Sequence, residues 1–130
     1  MSPPSGAVKI LVAEDNIMNQ QIIQRLLKSI GYTNVSLVEN GLKAVESIKR
    51  ERFDLVLMDC MMPVVGGIEA TEIVRREVPV EDQPPIVALT ADAFKENSKN
   101  CLAAGMCAVL TKPINRNELK DTIIKYTTRM

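Results

Sequence analysis

Five short apolar runs alternate along this chain with stretches whose apolar residues recur every three or four positions. The runs are Val8–Ala13 (broken only by Lys9), Val35–Val38, Leu55–Met58, Ile86–Leu89 and Cys107–Leu110. Each is too short for a helix and apolar nearly throughout, as strands covered on both faces are. Between and after them, Ile22, Ile23, Leu26, Leu27 and Ile30 form one helical stripe, and Ala44, Val45 and Ile48 a second. Ile68, Ile73 and Val74 mark a third, Phe94, Cys101 and Leu102 a fourth, and Leu119, Ile123 and Ile124 a fifth. All are expected to point inward. Asn16 is placed to cap the first helix and Gly31 to end it, while Asn40-Gly41 reads as a turn. Pro63 to Gly67 reads as a loop and Pro79 to Pro85 as a polar connector. Strand–helix alternation of this kind predicts an α/β fold. The expected form is one doubly wound (βα)5 parallel sheet with right-handed crossovers. The common five-stranded solution has order 2-1-3-4-5 and a binding crevice between strands one and three.

The ends of those runs carry the chemistry. The first runs into Glu14-Asp15, the third into Asp59, the fourth into Thr90 and the fifth into Thr111-Lys112-Pro113. In an open parallel sheet the carboxyl ends of the strands share one edge, where ligands bind. Glu14, Asp15, Asp59, Thr90 and Lys112 would therefore converge. Carboxylates, a hydroxyl and an ammonium together suit a hard cation and a phosphoryl group. Taken singly, each has a plain structural explanation: a carboxylate or threonine at a strand end is usually a turn residue or a cap, and a lysine is usually a surface charge. Their joint occurrence on one edge is what points to chemistry.

Composition narrows the classes. The 130 residues suit one domain with a core. Sixteen basic and sixteen acidic residues balance, which argues against a broad nucleic-acid footprint. No apolar run approaches the ~20 residues of a membrane helix, and residues 1–7 carry no signal-peptide pattern and read as a flexible lead-in. Cys60, Cys101 and Cys107 fit no disulfide framework and no zinc pattern. They read as reduced, mostly buried thiols of a cytoplasmic or nuclear protein. The chain has no histidine, so it can run no Ser-His-Asp or Cys-His mechanism and cannot itself carry a phosphohistidine. Met18, Met58, Met61, Met62 and Met106 read as gap-fillers and loop anchors.

Four motifs come in order: Leu11-Val12-Ala13-Glu14-Asp15-Asn16, then Met58-Asp59-Cys60-Met61-Met62-Pro63 with Gly67, then Leu89-Thr90-Ala91, then Lys112-Pro113. In these motifs the chain resembles the response-regulator receiver domain of two-component signalling, a flavodoxin-like fold, over about Val8 to Tyr126. The domain is set at residues 8–127. Glu14-Asp15-Asn16 followed by Asn19 and Gln20 is similar to the receivers of hybrid histidine kinases. The resemblance implies that Asp59 accepts a phosphoryl group from a partner's phosphohistidine and that Mg²⁺ is held by Glu14, Asp15, Asp59 and the backbone carbonyl of Met61. It implies a switch hydroxyl at Thr90, a phosphoryl-pairing lysine at Lys112 and a cis Lys112–Pro113 bond. The partner it implies is a histidine-containing phosphotransfer protein or a histidine kinase, with no direct nucleic-acid or membrane contact by this domain. Such a domain is a signalling module and not a turnover enzyme.

Ile17, Met18, Val64, Val65, Pro113 and Ile114 flank the acidic site, half of them expected to pack inward. Ile17, Met18 and Pro113 are the residues expected to dock the partner. Two departures from the family pattern stand out. Val109 replaces the aromatic residue often found three before the lysine, so no ring is there to swing with Thr90; a relay role tolerates this best. Gly66 replaces an aspartate, which predicts a more flexible Val64–Gly67 loop. Met61 and Asp92 stand where attacking water would pass and are placed to tune phosphoryl lifetime. The competing functions are an aspartate-nucleophile phosphatase, a flavin domain and a pseudo-receiver that binds partners without phosphorylation. The phosphatase wants a second acid where Met61 stands; a 3% aromatic content and no tryptophan offer a flavin little to stack on; and the complete set of pocket residues argues against the pseudo-receiver.

Overall fold

The computed structural model describes residues 5–91 and 95–128. Its five strands are β1 (Ile10–Ala13), β2 (Val35–Val38), β3 (Leu55–Asp59), β4 (Ile86–Thr90) and β5 (Ala108–Thr111). Five helices follow them in turn: α1 (Ile17–Ser29), α2 (Gly41–Arg50), α3 (Gly67–Glu77), α4 (Lys95–Ala104) and α5 (Arg116–Thr127). All pairings are parallel and the order is β2-β1-β3-β4-β5, the topology expected from the alternation. Among the described residues, no helix is long and apolar enough to cross a membrane.

The strand residues alternate between two half-cores. Leu11, Ala13, Val56, Met58, Ile86 and Ala88 pack against α2, α3 and α4 through Val45, Ile48, Val74 and Cys101. Ile10, Val12, Leu55, Leu57, Val87 and Leu89 pack against α1 and α5 through Ile23, Leu27, Leu119 and Ile123. This two-sided burial is why the central strands read as unbroken apolar runs.

Boundaries moved where backbone pairing extends past the apolar letters. Asp59 and Thr90 are the last residues of β3 and β4, and β1 begins at Ile10 because Lys9 and Val8 precede the ladder. Ser5–Ala7, expected to be flexible lead-in, form a 3-10 turn. Asn40 is not a free turn but caps α2, its Oδ1 accepting from the Lys43 amide at 2.8 Å, and Asn16 caps α1 likewise from Asn19 at 3.1 Å. Gly31 and Gly105 end α1 and α4 at φ 101° and 111°. Three inward expectations fail. Ile22, Leu102 and Ile124 lie 52%, 51% and 36% exposed, because each neighbours the true core residue (Ile23, Cys101 and Ile123) and a helix turns about 100° per residue. Phe94 lies outside the described residues. Met58 and Met106 are buried and Met62 partly so, whereas Met18 and Met61 are solvent-facing.

Arg75 ties α3 to the Pro79–Pro85 connector and to the end of α4. Its guanidinium donates to the Gly105 carbonyl at 2.8 and 3.1 Å, to Pro84 O at 3.2 Å and to Gln83 Oε1 at 3.1 Å. Gln83 in turn donates to Val78 O at 2.7 Å. Arg75→Ala strands these acceptors together and is expected to cost about 2–4 kcal/mol. The check is a urea midpoint lowered at unchanged m-value.

Candidate functional site

The β1–β3 register aligns Ala13 with Met58, so Glu14 and Asp59 come out side by side at the sheet edge. One strand over, Asp59 pairs with Leu89 and Thr90 with Thr111. The Lys112 amide donates to the Thr90 carbonyl at 2.7 Å, and the Lys112–Pro113 bond is cis. The sheet therefore gathers residues from four strand ends. Glu14, Asp59 and Thr90 are buried, Asp15 is exposed, and Lys112 is half-buried between them.

Lys112 Nζ donates to Asp59 Oδ2 at 2.7 Å and to Glu14 Oε1 at 3.1 Å. One carboxylate oxygen each from Glu14, Asp15 and Asp59 can be chosen so that all lie within 4.8 Å of one another. The Met61 amide donates to Asp59 Oδ1 at 3.0 Å, which holds the main chain of residue 61 against the carboxylate. The Glu14 carbonyl is held by Gln20 Nε2 at 2.6 Å, and the Asp15 amide donates to Glu14 Oε2 at 3.2 Å.

Burial first, and Asp59 beside it second, push the Glu14 carboxyl up to about 7, with Lys112 and Asn19 pulling the other way. Burial also works against the ionised form of Asp59, but hydrogen bonds with Glu14, Lys112 and the Met61 amide outweigh it and hold Asp59 below the usual carboxylate range. Burial likewise disfavours the Lys112 ammonium, and Asp59, then Glu14, outweigh it and raise Lys112. The pocket thus has more carboxyl groups than Lys112 alone can neutralise, and Glu14 is the one whose ionised form is disfavoured. Oxygen donors crowded this way fit a divalent cation, and Mg²⁺ favours a few carboxylates with water completing the shell.

Of the six flanking apolar residues, Ile17, Met18, Val64 and Pro113 are exposed, while Val65 and Ile114 pack against the two half-cores. A groove of about 370 Å³ opens beside Lys112, lined by Asn19, Ile22, Ile23, Lys112, Pro113 and Ile114. Asp92 lies outside the described residues. Val109 is partly buried against the α2–α4 half-core. Gly66 does not use glycine's freedom: it takes extended backbone at φ −75° and precedes α3. The positive φ falls instead on Val64. Asn19 and Gln20 stood out only through the resemblance, and neither the hydrogen bond from the Met61 amide nor the close approach at Gly41 and Gly67 was legible beforehand.

Residues 10–124 match the model of the response regulator receiver domain. The chain belongs to that family. The receiver is 40% identical over 125 residues to the osmosensing histidine protein kinase SLN1 of Saccharomyces cerevisiae, and 40% identical over 131 residues to the sensor protein GacS of Pseudomonas syringae. These alignments cover 92% and 98% of the chain but 10% and 14% of the relatives, so the receiver spans a small part of the curated proteins it matches. It is similar to the receiver domain of sensor histidine kinase PA1611 from Pseudomonas aeruginosa, solved with magnesium coordinated in the active-site cleft (42% identity, TM-score 0.83, 92% of this chain and 97% of that one). It is also similar to a chain in the co-crystal of the Saccharomyces cerevisiae phosphotransfer protein Ypd1 with the receiver domain of Ssk1 (30% identity, TM-score 0.85, 98% and 91% covered). The receiver is thus of the two-component, phosphorelay kind, and resembles those of hybrid histidine kinases.

Proposed function

We propose that this receiver takes a phosphoryl group on Asp59 from a partner's phosphohistidine. The observation that carries the reading is the lysine bridge: Lys112 spans Asp59 and Glu14, with three acidic side chains converging beside it. An Asp59 carboxylate oxygen attacks phosphorus as the phosphorus–nitrogen bond to the donor imidazole breaks, leaving an acyl phosphate here and a histidine there. Lys112 is placed to release Asp59 and pair with a phosphoryl oxygen, and the Thr90 hydroxyl is placed to donate to another. Glu14, Asp15, Asp59 and the Met61 carbonyl would hold Mg²⁺, which supplies charge neutralisation for carboxylates and phosphoryl oxygens. Water then hydrolyses the acyl phosphate slowly, and the Met61 side chain, which is exposed, is the group proposed to hinder it. The domain acts as a signalling module in the cytoplasm or nucleus and not as an enzyme with an external substrate. The PA1611 structure, with magnesium in its cleft, supports the choice of ion.

The partner proposed is a histidine-containing phosphotransfer protein or a histidine kinase, docking through exposed Ile17, Met18 and Pro113 beside the groove. The Ypd1 co-crystal supports that choice of partner. The test has two arms. Intact-protein mass is expected to rise by one phosphate with acetyl phosphate and Mg²⁺, and not with EDTA. Alanine at Ile17, Met18 and Pro113 together is expected to slow transfer from a phosphorylated histidine partner by about tenfold or more, while uptake from acetyl phosphate stays within about twofold. No adduct from either donor would favour a pseudo-receiver; equal loss with both donors would place the three residues outside docking.

A further inference from the structure

The turn after β3 is held both by its own hydrogen bonds and by one from the β2–α2 junction. Val64 has φ 68°, alone among the described non-glycine residues in being positive. A β-branched residue there is a genuine outlier, and outliers of this kind persist only where surrounding structure imposes them. The Val64 side chain is 76% exposed, so its own packing does not explain the conformation. Gly66, two residues on, would accept a positive φ freely and does not take one.

Two hydrogen bonds within the turn and one from the start of α2 impose the Val64 conformation. The Gly41 amide donates to the Val65 carbonyl at 2.9 Å, the Val65 amide to Pro63 O at 2.8 Å, and the Gly67 amide to Cys60 O at 3.1 Å. Gly41 is buried, and a Cβ there would collide with the Val65 carbonyl oxygen and lie 2.8 Å from its carbon. The same turn meets Asp59 at both ends. At one, Met61 donates its amide to the carboxylate. At the other, a Cβ on Gly67 would collide with the Asp59 carbonyl oxygen and lie 3.0 Å from its carbon.

We infer that Gly41 is a positioning residue for the phosphoacceptor. By gripping the Val65 carbonyl it fixes the Val64 turn, and through the turn it sets where the Met61 main chain stands against the Asp59 carboxylate. The β2–α2 junction, which supplies none of the reacting groups, thereby shapes the site. The inference rests on the reading of Asp59 as a Mg²⁺-assisted acceptor.

Three variants and one control, Arg75→Ala, test it, with Mg²⁺ affinity of the unphosphorylated receiver by calorimetry as one readout and uptake from acetyl phosphate as the other. Val64→Pro fixes φ near −65° at an exposed position. It is expected to weaken Mg²⁺ binding about fivefold and to slow uptake about tenfold, since small misplacements of reacting groups are costly. Val64→Gly permits the positive φ and is expected to keep both within about twofold. Gly41→Ala is expected to follow Val64→Pro, whereas Arg75→Ala, destabilised elsewhere, leaves Mg²⁺ affinity unchanged. If Gly41→Ala does not fold, the Val64 pair decides alone. A wild type that takes Mg²⁺ and phosphate while Val64→Pro and Val64→Gly behave alike would overturn the inference and leave the functional reading standing. A wild type that takes neither would overturn both.

Discussion

Asp59→Asn is expected to abolish uptake of phosphate from acetyl phosphate or a phosphohistidine partner, leaving the intact mass unchanged in Mg²⁺. The substitution is nearly isosteric. Its amide oxygen can still accept from the Met61 amide, as Asp59 Oδ1 does at 3.0 Å, and Lys112 keeps its contact with Glu14. The fold therefore has little reason to fail. What disappears is the ionised oxygen, which the surroundings of Asp59 preserve despite burial, and with it the nucleophile. The same change removes one of three clustered acids, so the rise in melting temperature on adding Mg²⁺ should also shrink, as it must for any weakened ligand of the native state. A phosphate adduct surviving in this variant would move the acceptor elsewhere, and Asp15 would be next in line.

The second large effect concerns pH. With its carboxyl pushed up to about 7 in the fold against an ordinary value of 4.5, Glu14 binds a proton more readily folded than unfolded. Its contribution to stability is complete below about 4.5 and is lost as pH rises towards 7 and beyond. Asp59 is shifted down and Lys112 up, so both keep their contributions throughout pH 5–8. With no histidine in the chain, no other side chain ordinarily titrates in that window. In EDTA, the receiver is expected to lose about 2–3 kcal/mol between pH 5 and 8, or on the order of 10 °C in melting temperature. Glu14→Gln should flatten that profile and melt higher than the wild type at pH 8, and Mg²⁺ should restore the wild type there. Superimposable wild-type melts at pH 5 and pH 8 would remove this account of the pocket.

The sheet order and the converging strand ends were legible because each apolar run stops at a residue that cannot belong to a core without a reason. Asp59 and Thr90 announce themselves in that way. Helix faces were less legible. Cys101-Leu102 and Ile123-Ile124 offer two adjacent apolar letters for one buried position, and only packing decides between them. Glu14 and Asp15 are indistinguishable as neighbouring acids, yet one is fully buried and the other exposed; that difference arises from where β1 ends. The grip of Gly41 on Val65 is invisible to any local pattern, since it joins residues from two loops that only the fold makes neighbours. The flexible loop expected from Gly66 is in fact tied at Cys60, Pro63 and Gly41, because hydrogen bonding and not glycine content fixes a turn.

The two half-cores share no side chain. The apolar residues of β1, β3 and β4 are each committed either to α1 and α5 or to α2, α3 and α4, so the sheet is a partition between them. A partner resting near Ile17 and Pro113 touches one compartment; the Val64 turn and Arg75 belong to the other. Asp59 and Thr90 end their strands at the top of that wall, beside both rooms. The occupants of either room can be redesigned separately, whereas a change at that doorway adjoins both.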